Sequence, residues 1–460
     1  MHTTFIIEDR LGRFMEVCRF HVVIIGTGPA GSSAALALAR AGLNVAIIDE
    51  REYGGTCPNR GCDPKKILRV GGEIAHRSKA LAVHGIVRPA SIDWDRLMQF
   101  KRRLIQGVSS DVEGSLKQAG VTTIHGSATF VDITKIRVGA VEIVAERFII
   151  AAGSRPRSLG IDGEDFVATS DDILDLDELP EHALFIGGGY TSFELAHLLN
   201  ALGVICTIIH DDDEPLPGFD RALVRRLIES SRDDGIEIIL GSSVERVERV
   251  GDSFHVHVSS ADEHHMYETD AVIHGAGREA NLASLDPGRA GIRIENGAIV
   301  VDEYLRANSR TFAIGDCASR GAPTTPVAQL QGRSVAETLL GRPTVFEEPI
   351  APRVLFTLPE LAMVGLTEAQ ARAARLEVRI ENHETSSWLT SRRIGQRHSG
   401  ARIIIDQESD LILGAHLFGE TSQELIHLFA LAMREGIRAS ALKELVYAFP
   451  THSSDIPSLL

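Results

Sequence analysis

The feature that most constrains this chain is a glycine motif that occurs twice in one register. The apolar run Phe20-His-Val-Val-Ile-Ile25 ends in Gly26-Thr-Gly28-Pro-Ala-Gly31. Ala- and Leu-rich residues then lead to Gly42 and a second apolar run, Val45 to Asp49. That order predicts strand, tight turn, helix, strand. Gly26 permits the turn, Gly28 lets the backbone approach a pyrophosphate, and Gly31 lets the helix pack closely on the strand. The helix N-terminus then holds the phosphates. Asp49 closes the second strand where an acid bonds a ribose hydroxyl, with Glu50 beside it as the substitute. Adding 161 to each key position lands on Gly187, Gly189, Ser192, Gly203 and His210, after the apolar run Ala183 to Ile186. One glycine-rich turn is a common strand-to-helix connection, whereas five matched offsets imply two dinucleotide sites. At the end of the second copy, His210-Asp-Asp-Asp-Glu214 is acidic, repels a 2′-phosphate and offers no arginine to receive one. NAD(H) is therefore favoured over NADP(H).

At 460 residues the chain has room for roughly three domains of about 150 residues. With 44% hydrophobic and 24% charged residues it has the balance of a folded globular protein, which excludes disorder as the main state. The 47 Lys+Arg against 63 Asp+Glu leave a net charge of −16, with no basic stripe for a phosphate backbone, so nucleic acid is not an expected partner. No apolar stretch approaches the roughly 18 residues of a membrane span. Glu8 and Asp9 interrupt the region where a signal peptide would need its apolar core. Five cysteines, at 18, 57, 62, 206 and 317, are too few for a disulfide scaffold. Together these predict a cytoplasmic enzyme. Residues 1–19 read as an N-terminal extension, with Met15 a second candidate start.

Further apolar runs at Phe148-Ile-Ile-Ala-Ala-Gly153, Ala271-Val-Ile-His-Gly-Ala-Gly277 and Thr311-Phe-Ala-Ile-Gly-Asp316 predict strands. Each reaches a turn at its C-terminal end, the edge where ligands bind in a doubly wound sheet. From about 348 the texture changes: Leu411 to Phe418 reads as a strand, and Gln423 to Arg434 as an apolar-faced helix stopped by Gly436. The expected fold class is α/β, with two Rossmann-like dinucleotide-binding domains and a C-terminal α+β domain. The expected boundaries are 20–153 with 277–347, then 154–276, then 348–460.

The chemistry centres on Gly54-Gly55-Thr56-Cys57-Pro-Asn-Arg-Gly-Cys62-Asp-Pro-Lys65-Lys66. Five residues of ideal helix rise about 7.5 Å, beyond the roughly 7 Å Cα separation a disulfide tolerates, so the turn must be distorted. Pro58 and Gly61 are suited to distorting it. A Cys-x4-Cys spacing without a second Cys or His pair is not a zinc signature, and no metal is expected. Inert core cysteines are the alternative reading. Cys206 and Cys317 read as small core residues, and His383, His416 and His427 as packed or solvated.

Over nearly its whole length the chain resembles the pyridine nucleotide-disulfide oxidoreductases, the group of dihydrolipoyl dehydrogenase, glutathione reductase and mercuric reductase. The resemblance rests on GGTC(x4)C(x2)K at 54–65, GGGYxxxE at 187–194, TFAIGDC at 311–317 and FTxPExAxVGLTE at 356–368. It implies a homodimer joined by the last domain. It also implies FAD at Gly26, Gly28, Gly31, Asp49 or Glu50, Gly55, Thr56, Lys66 and Gly153, with Asp316 at the ribityl chain. NAD(H) would dock on Gly187, Gly189, Tyr190, Glu194 and His210, with Gly277 and Arg278 as further nucleotide contacts. By the same resemblance electrons pass from NADH through the flavin to Cys57 and Cys62. Cys62 would be the flavin-side thiol and Cys57 the one that exchanges with substrate, while Lys65 and Glu194 would form an ion pair beside the flavin.

One departure bears on the substrate. The family's disulfide reductases place a proton-carrying histidine in a C-terminal His-Pro-Thr, and here the segment is Phe449-Pro450-Thr451-His452-Ser453-Ser454-Asp455. Phenylalanine moves no proton, a loss of roughly 10²- to 10⁴-fold if nothing substitutes. Three readings stay open: His452 with Asp455 takes the role, the leaving thiol departs unassisted, or the acceptor is not a disulfide. Leu36 and Ala37 stand where glutathione reductases carry adjacent arginines, and the C-terminal cysteine pair of mercuric reductases is missing. The expected activity is NAD(H):dithiol/disulfide oxidoreduction, lipoyl-like before glutathione-like. The alternatives are a flavin reductase serving a quinone, dioxygen or a metal ion, and a redox-sensing or electron-relay flavoprotein.

Overall fold

A computed structural model describes the backbone of residues 4–8, 14–261 and 263–460, and the side chains from residue 18 onward except 262. The chain divides into two compact units: 1–65 with 101–157 and 278–349, and 66–100 with 158–277 and 350–460.

The first unit is built on a mixed sheet in the order Thr122–His125, Val45–Asp49, Phe14–Ile25, Val141–Ile150, Lys135–Val138, Ala128–Asp132, with Thr311–Ala313 parallel to the end of Val141–Ile150. Its central strands read as continuous apolar runs because both faces are covered: Val23, Ile24, Ile47 and Ile149 are all fully buried. The central strand starts earlier than its apolar run predicts. It begins at Phe14 rather than Phe20, its residues 14–18 pair antiparallel with Thr4–Glu8, and Val17 pairs with Glu142. The expected extension at 1–19 is thus partly strand; residues 1–3 and 9–13 lie outside the described residues. The helix Pro29–Arg40 crosses the helix Thr325–Leu339 where a Cβ on Gly332 would stand 2.4 Å from the Ala30 carbonyl oxygen.

The second unit holds a parallel sheet in the order Glu237–Ile239, Ile205–Ile209, His182–Ile186, Ala271–His274. A three-stranded antiparallel sheet, 243–269, lies beside it, and a five-stranded one carries Leu361–Gly365 and Ile412–Phe418 at its centre. The helix Ser422–Glu435 turns Ile426, Phe429 and Ala432 inward and stops at Gly436, whose φ of +63° is left-handed. Truncating the fully buried Phe429 to alanine would cost about 3–5 kcal/mol. Segments 158–277 and 350–460, expected as separate domains, share one core in which Phe185, Leu198 and Leu223 are clustered with Leu355, Leu361 and Phe418. Segment 66–100, expected with the first nucleotide domain, contributes Leu68 and Met98 to that core. No helix among the described residues is long and apolar enough to cross a membrane.

Candidate functional site

In the first unit the turn after Phe14–Ile25 has a floor made of backbone. Gly26 has a φ of +105°, and a Cβ there would stand 2.1 Å from the Ala151 carbonyl oxygen. Gly55 has a φ of +70°, and its Cβ would stand 2.7 Å from the Gly28 Cα. Two glycine loops therefore touch main chain to main chain. Gly28 caps the helix Pro29–Arg40 with no side-chain hydrogen bond, leaving its first-turn N–H groups to an anion. The Asp49 Oδ2 accepts from the Thr27 N–H at 2.8 Å and the Thr27 hydroxyl at 2.6 Å, and Oδ1 accepts from the Arg51 N–H. Thr27 Oγ1 in turn accepts from the Gly54 N–H at 3.1 Å. Glu50 is exposed at the strand end. An uncapped helix start, a side-chain-free cradle and an acid with spare acceptor capacity fit the pyrophosphate and ribose of a dinucleotide.

Asp316 follows the strand Thr311–Ala313, and its Oδ2 accepts from the Ser154 hydroxyl at 3.1 Å. Arg278 grips that serine, donating Nε to Ser154 Oγ at 2.9 Å and Nη2 to Ser154 O at 2.6 Å. Its guanidinium therefore orients the partner of Asp316. Gly153 has a φ of +67° and its carbonyl receives the Asn281 N–H; Gly277 has a φ of +107°.

The two cysteines lie on different helices, Thr56–Arg60 and Cys62–Ala82, broken at Gly61, which is the distortion their spacing demands. Both are free thiols, Cys57 half-buried and Cys62 exposed. A hydrogen bond with Cys62, then burial, pushes the Cys57 thiol far up, while a hydrogen bond with Thr325 acts in the opposite direction. Asn59, which sequence reasoning passed over, donates Nδ2 to the Tyr53 and Gly55 carbonyls and holds the glycine turn beside the pair. Thr56 is exposed and Lys65 half-buried. Burial pushes Cys206 up to about 12 and Cys317 up to about 11, which leaves both as inert thiols.

In the second unit Gly187 has a φ of +99°, and its Cβ would stand 2.5 Å from the Ala276 Cα. Gly189 starts the helix Tyr190–Ala201 without a side-chain cap, and the Ser192 hydroxyl donates to the Gly187 carbonyl at 2.5 Å. His210 Nδ1 lies 3.2 Å from the Gly188 nitrogen and 3.0 Å from Asp211 Oδ1, and Nε2 lies 3.3 Å from the Glu214 carbonyl oxygen. Tyr190 is half-exposed at the helix start. One expectation needs correction: the acidic run does meet arginines. Arg221 Nε lies 2.7 Å and Arg225 Nη2 3.5 Å from the Glu214 carboxylate, because the helix Arg221–Asp233 folds back beside it. Glu194 is buried and its Oε1 accepts the Phe356 N–H at 2.8 Å. Lys66, expected at a cofactor, places its ammonium 3.1 Å from Gln423 Oε1 and 3.5 Å above the Phe356 ring.

At the C-terminus Phe449 is 82% exposed and the Phe449–Pro450 bond is cis. His452 and Asp455 line a solvent-open pocket together with Trp388, Thr390 and Glu420. Asp455 Oδ2 accepts the Thr390 hydroxyl at 2.5 Å. Burial, then the nearby Arg393, holds His452 below the usual histidine range.

Residues 20–332 match the pyridine nucleotide-disulphide oxidoreductase family, and residues 351–459 match that family's dimerisation domain. Dihydrolipoyl dehydrogenase of Chlamydia pneumoniae is 32% identical, covering 94% of this chain and 95% of the relative. Glutathione reductase of Burkholderia cepacia is 31% identical, over 97% and 99%. A solved structure titled as the Cu(II) complex of the HOCl-induced flavoprotein disulfide reductase RclA from Escherichia coli superposes with a TM-score of 0.86 at 29% identity, over 96% of this chain and 98% of that one. With two uncapped glycine cradles, a distorted dithiol turn and relatives of matching length, the chain belongs to the pyridine nucleotide-disulphide oxidoreductases and is an FAD-dependent enzyme of that family.

Proposed function

We propose that the protein is a homodimeric, cytoplasmic enzyme that moves two electrons between NAD(H) and a dithiol/disulfide substrate, with lipoyl-like disulfides preferred to glutathione. The observation that carries this reading is the hydrogen-bonded Cys57 and Cys62 pair at a helix break, a few residues beyond the first glycine cradle. Bound FAD supplies the two-electron acceptor between NADH and the Cys57–Cys62 disulfide. Gly26, Gly28, Gly31, Gly55 and the Asp49–Thr27 contact hold that cofactor, and Asp316, oriented by Ser154 and Arg278, takes a hydroxyl of its chain. The NADH pyrophosphate rests on the start of Tyr190–Ala201. Lys65 and Glu194 each take the role that the family resemblance implies for them at the flavin. Cys62 faces the cofactor, while Cys57 gives up its proton and attacks substrate as the thiolate. Exposed Leu445, Val446 and Phe449, in the segment that matches the dimerisation domain, support the homodimer.

Balanced for reduction, NADH, one proton and a disulfide give NAD⁺ and two thiols, so each turnover needs a proton at the leaving sulfur. Phe449, in the place of the family's histidine, cannot deliver it. That observation favours a second reading in which a thiolate-binding metal ion accepts the electrons and no leaving thiol needs a proton. The Cu(II) complex of the Escherichia coli flavoprotein is consistent with it. Anaerobic NADH reduction followed by lipoamide, glutathione disulfide, coenzyme A disulfide, a quinone and Cu(II) tests both readings. Fast reoxidation by lipoamide is the result expected; reoxidation by Cu(II) alone supports the second reading; none by any acceptor contradicts both and fits a redox sensor. In the reduced enzyme a long-wavelength band that survives Cys57→Ser and disappears in Cys62→Ser checks the order of the thiols.

A further inference from the structure

Two helices of the second unit grip one short turn, Phe356 to Glu360, by its main chain. From Tyr190–Ala201, Glu194 Oε1 accepts the Phe356 N–H at 2.8 Å and His197 Nδ1 accepts the Leu358 N–H at 3.3 Å. From the other helix, Arg69 donates Nε to the Phe356 carbonyl at 3.1 Å and Nη2 to the Thr357 carbonyl at 3.0 Å. Arg69 Nη2 also lies 2.7 Å from Glu360 Oε1, and Nη1 bonds Glu73. Arg69 is 3% exposed and Glu360 6%. A pair so deeply buried recovers its desolvation cost only when the geometry is good and further hydrogen bonds are made. Here the further bonds fall on the residue whose N–H holds Glu194. Glu360 Oε2 has no hydrogen-bond partner among the described residues, so the carboxylate is held through Oε1 by Arg69.

We infer that Arg69 is a positioning residue for Glu194: by fixing both carbonyls of the Phe356–Thr357 segment, it fixes the N–H that orients the Glu194 carboxylate. The inference rests on the role proposed above for Glu194. A guanidinium fork is required because one planar group must meet two carbonyls and a carboxylate at once, which a lysine ammonium on a flexible stem does not do. Displacing a reacting group's support by about 1 Å can cost up to 10²-fold in rate, and an intermediate loss is expected here.

The test is a double-mutant cycle on the FAD-loaded enzyme, reading the rate of flavin bleaching by NADH. Arg69→Lys should slow bleaching about tenfold. In a Glu194→Gln background, itself slowed, Arg69→Lys should add less than twofold. Hydrogen exchange gives a readout independent of turnover: the Phe356 amide should exchange at least tenfold faster in Arg69→Lys, with Ile403 amide exchange unchanged. If Arg69→Lys fails to fold, Glu360→Gln, which loosens the guanidinium without removing it, should show a smaller slowing with the same non-additivity. Additive effects, or unchanged bleaching in Arg69→Lys beside a slowed Glu194→Gln, would overturn the inference. Unchanged bleaching in Glu194→Gln would instead reject the role of Glu194 itself, and the inference with it.

Discussion

The two glycine turns trace the same backbone path yet treat the third motif position differently. At Gly31 an added Cβ would stand 2.0 Å from the Gly26 carbonyl oxygen and 3.2 Å from the Ala151 Cβ. Ser192 occupies the equivalent place in the second copy and turns that approach into a hydrogen bond, its hydroxyl 2.5 Å from the Gly187 carbonyl. Room for it comes from Gly275, where a Cβ would stand 1.8 Å from Ser192 Oγ. In the first copy the serine-to-carbonyl bond lies one step along, from the Ser32 hydroxyl to the Thr27 carbonyl oxygen at 2.6 Å. A glycine in this motif is thus a requirement of the pair of positions facing each other across helix and strand. Either member can supply the space.

The comparison can be broken most severely by making the copies alike. Gly31→Ser puts a side chain where main chain already sits, and the purified protein should lose FAD, read as the ratio of 450 to 280 nm absorbance. Gly275→Ala should instead retain FAD and raise the KM for NADH by at least tenfold, since only the second turn is disturbed. Parallel loss of FAD in both variants would mean that the turns do not serve separate nucleotides.

A smaller effect follows from the residue closing each unit. Asp49 accepts two bonds from Thr27 and one from Arg51, whereas His210 meets its turn through Nδ1 and the Gly188 N–H. Asp49→Asn removes charge-assisted bonds worth about 1.5–3 kcal/mol, so FAD should dissociate at least tenfold more readily; His210→Asn should leave FAD retention unchanged. Fluorescence of released flavin on dilution measures both.

The smallest effect concerns cofactor choice. Glu214 occupies Arg221 and Arg225, both more than two-thirds exposed, and Glu214→Gln releases them. The ratio of kcat/KM for NADPH to that for NADH should rise about twofold to fivefold, in keeping with exposed pairs worth no more than about 1 kcal/mol. A wild-type enzyme that prefers NADPH would reject the reading of the acidic run.

The parts of this site legible in the sequence are those set by local backbone demands. Gly26, Gly55 and Gly187 have left-handed φ and no room for a Cβ, and the break at Gly61 follows from the spacing of Cys57 and Cys62. The parts that were not legible depend on long-range polar pairing. Thr27 meets Asp49 across 22 residues and Arg69 meets Glu360 across 291, and no periodicity marks either. Arg221 reaches Glu214 because the helix Arg221–Asp233 doubles back, which the charge run alone does not reveal. The bond between Thr390 and Asp455, 65 residues apart, is of the same kind.

The central claim, that Cys57 and Cys62 carry the electrons, is tested most directly by counting thiols. The oxidised, FAD-loaded enzyme is treated anaerobically with excess NADH, quenched in acid with an alkylating agent, and mapped by mass spectrometry. Two new alkylated cysteines per protomer, at 57 and 62, with Cys18, Cys206 and Cys317 unchanged, is the result predicted. Flavin bleaching without any gain at Cys57 and Cys62 would contradict it.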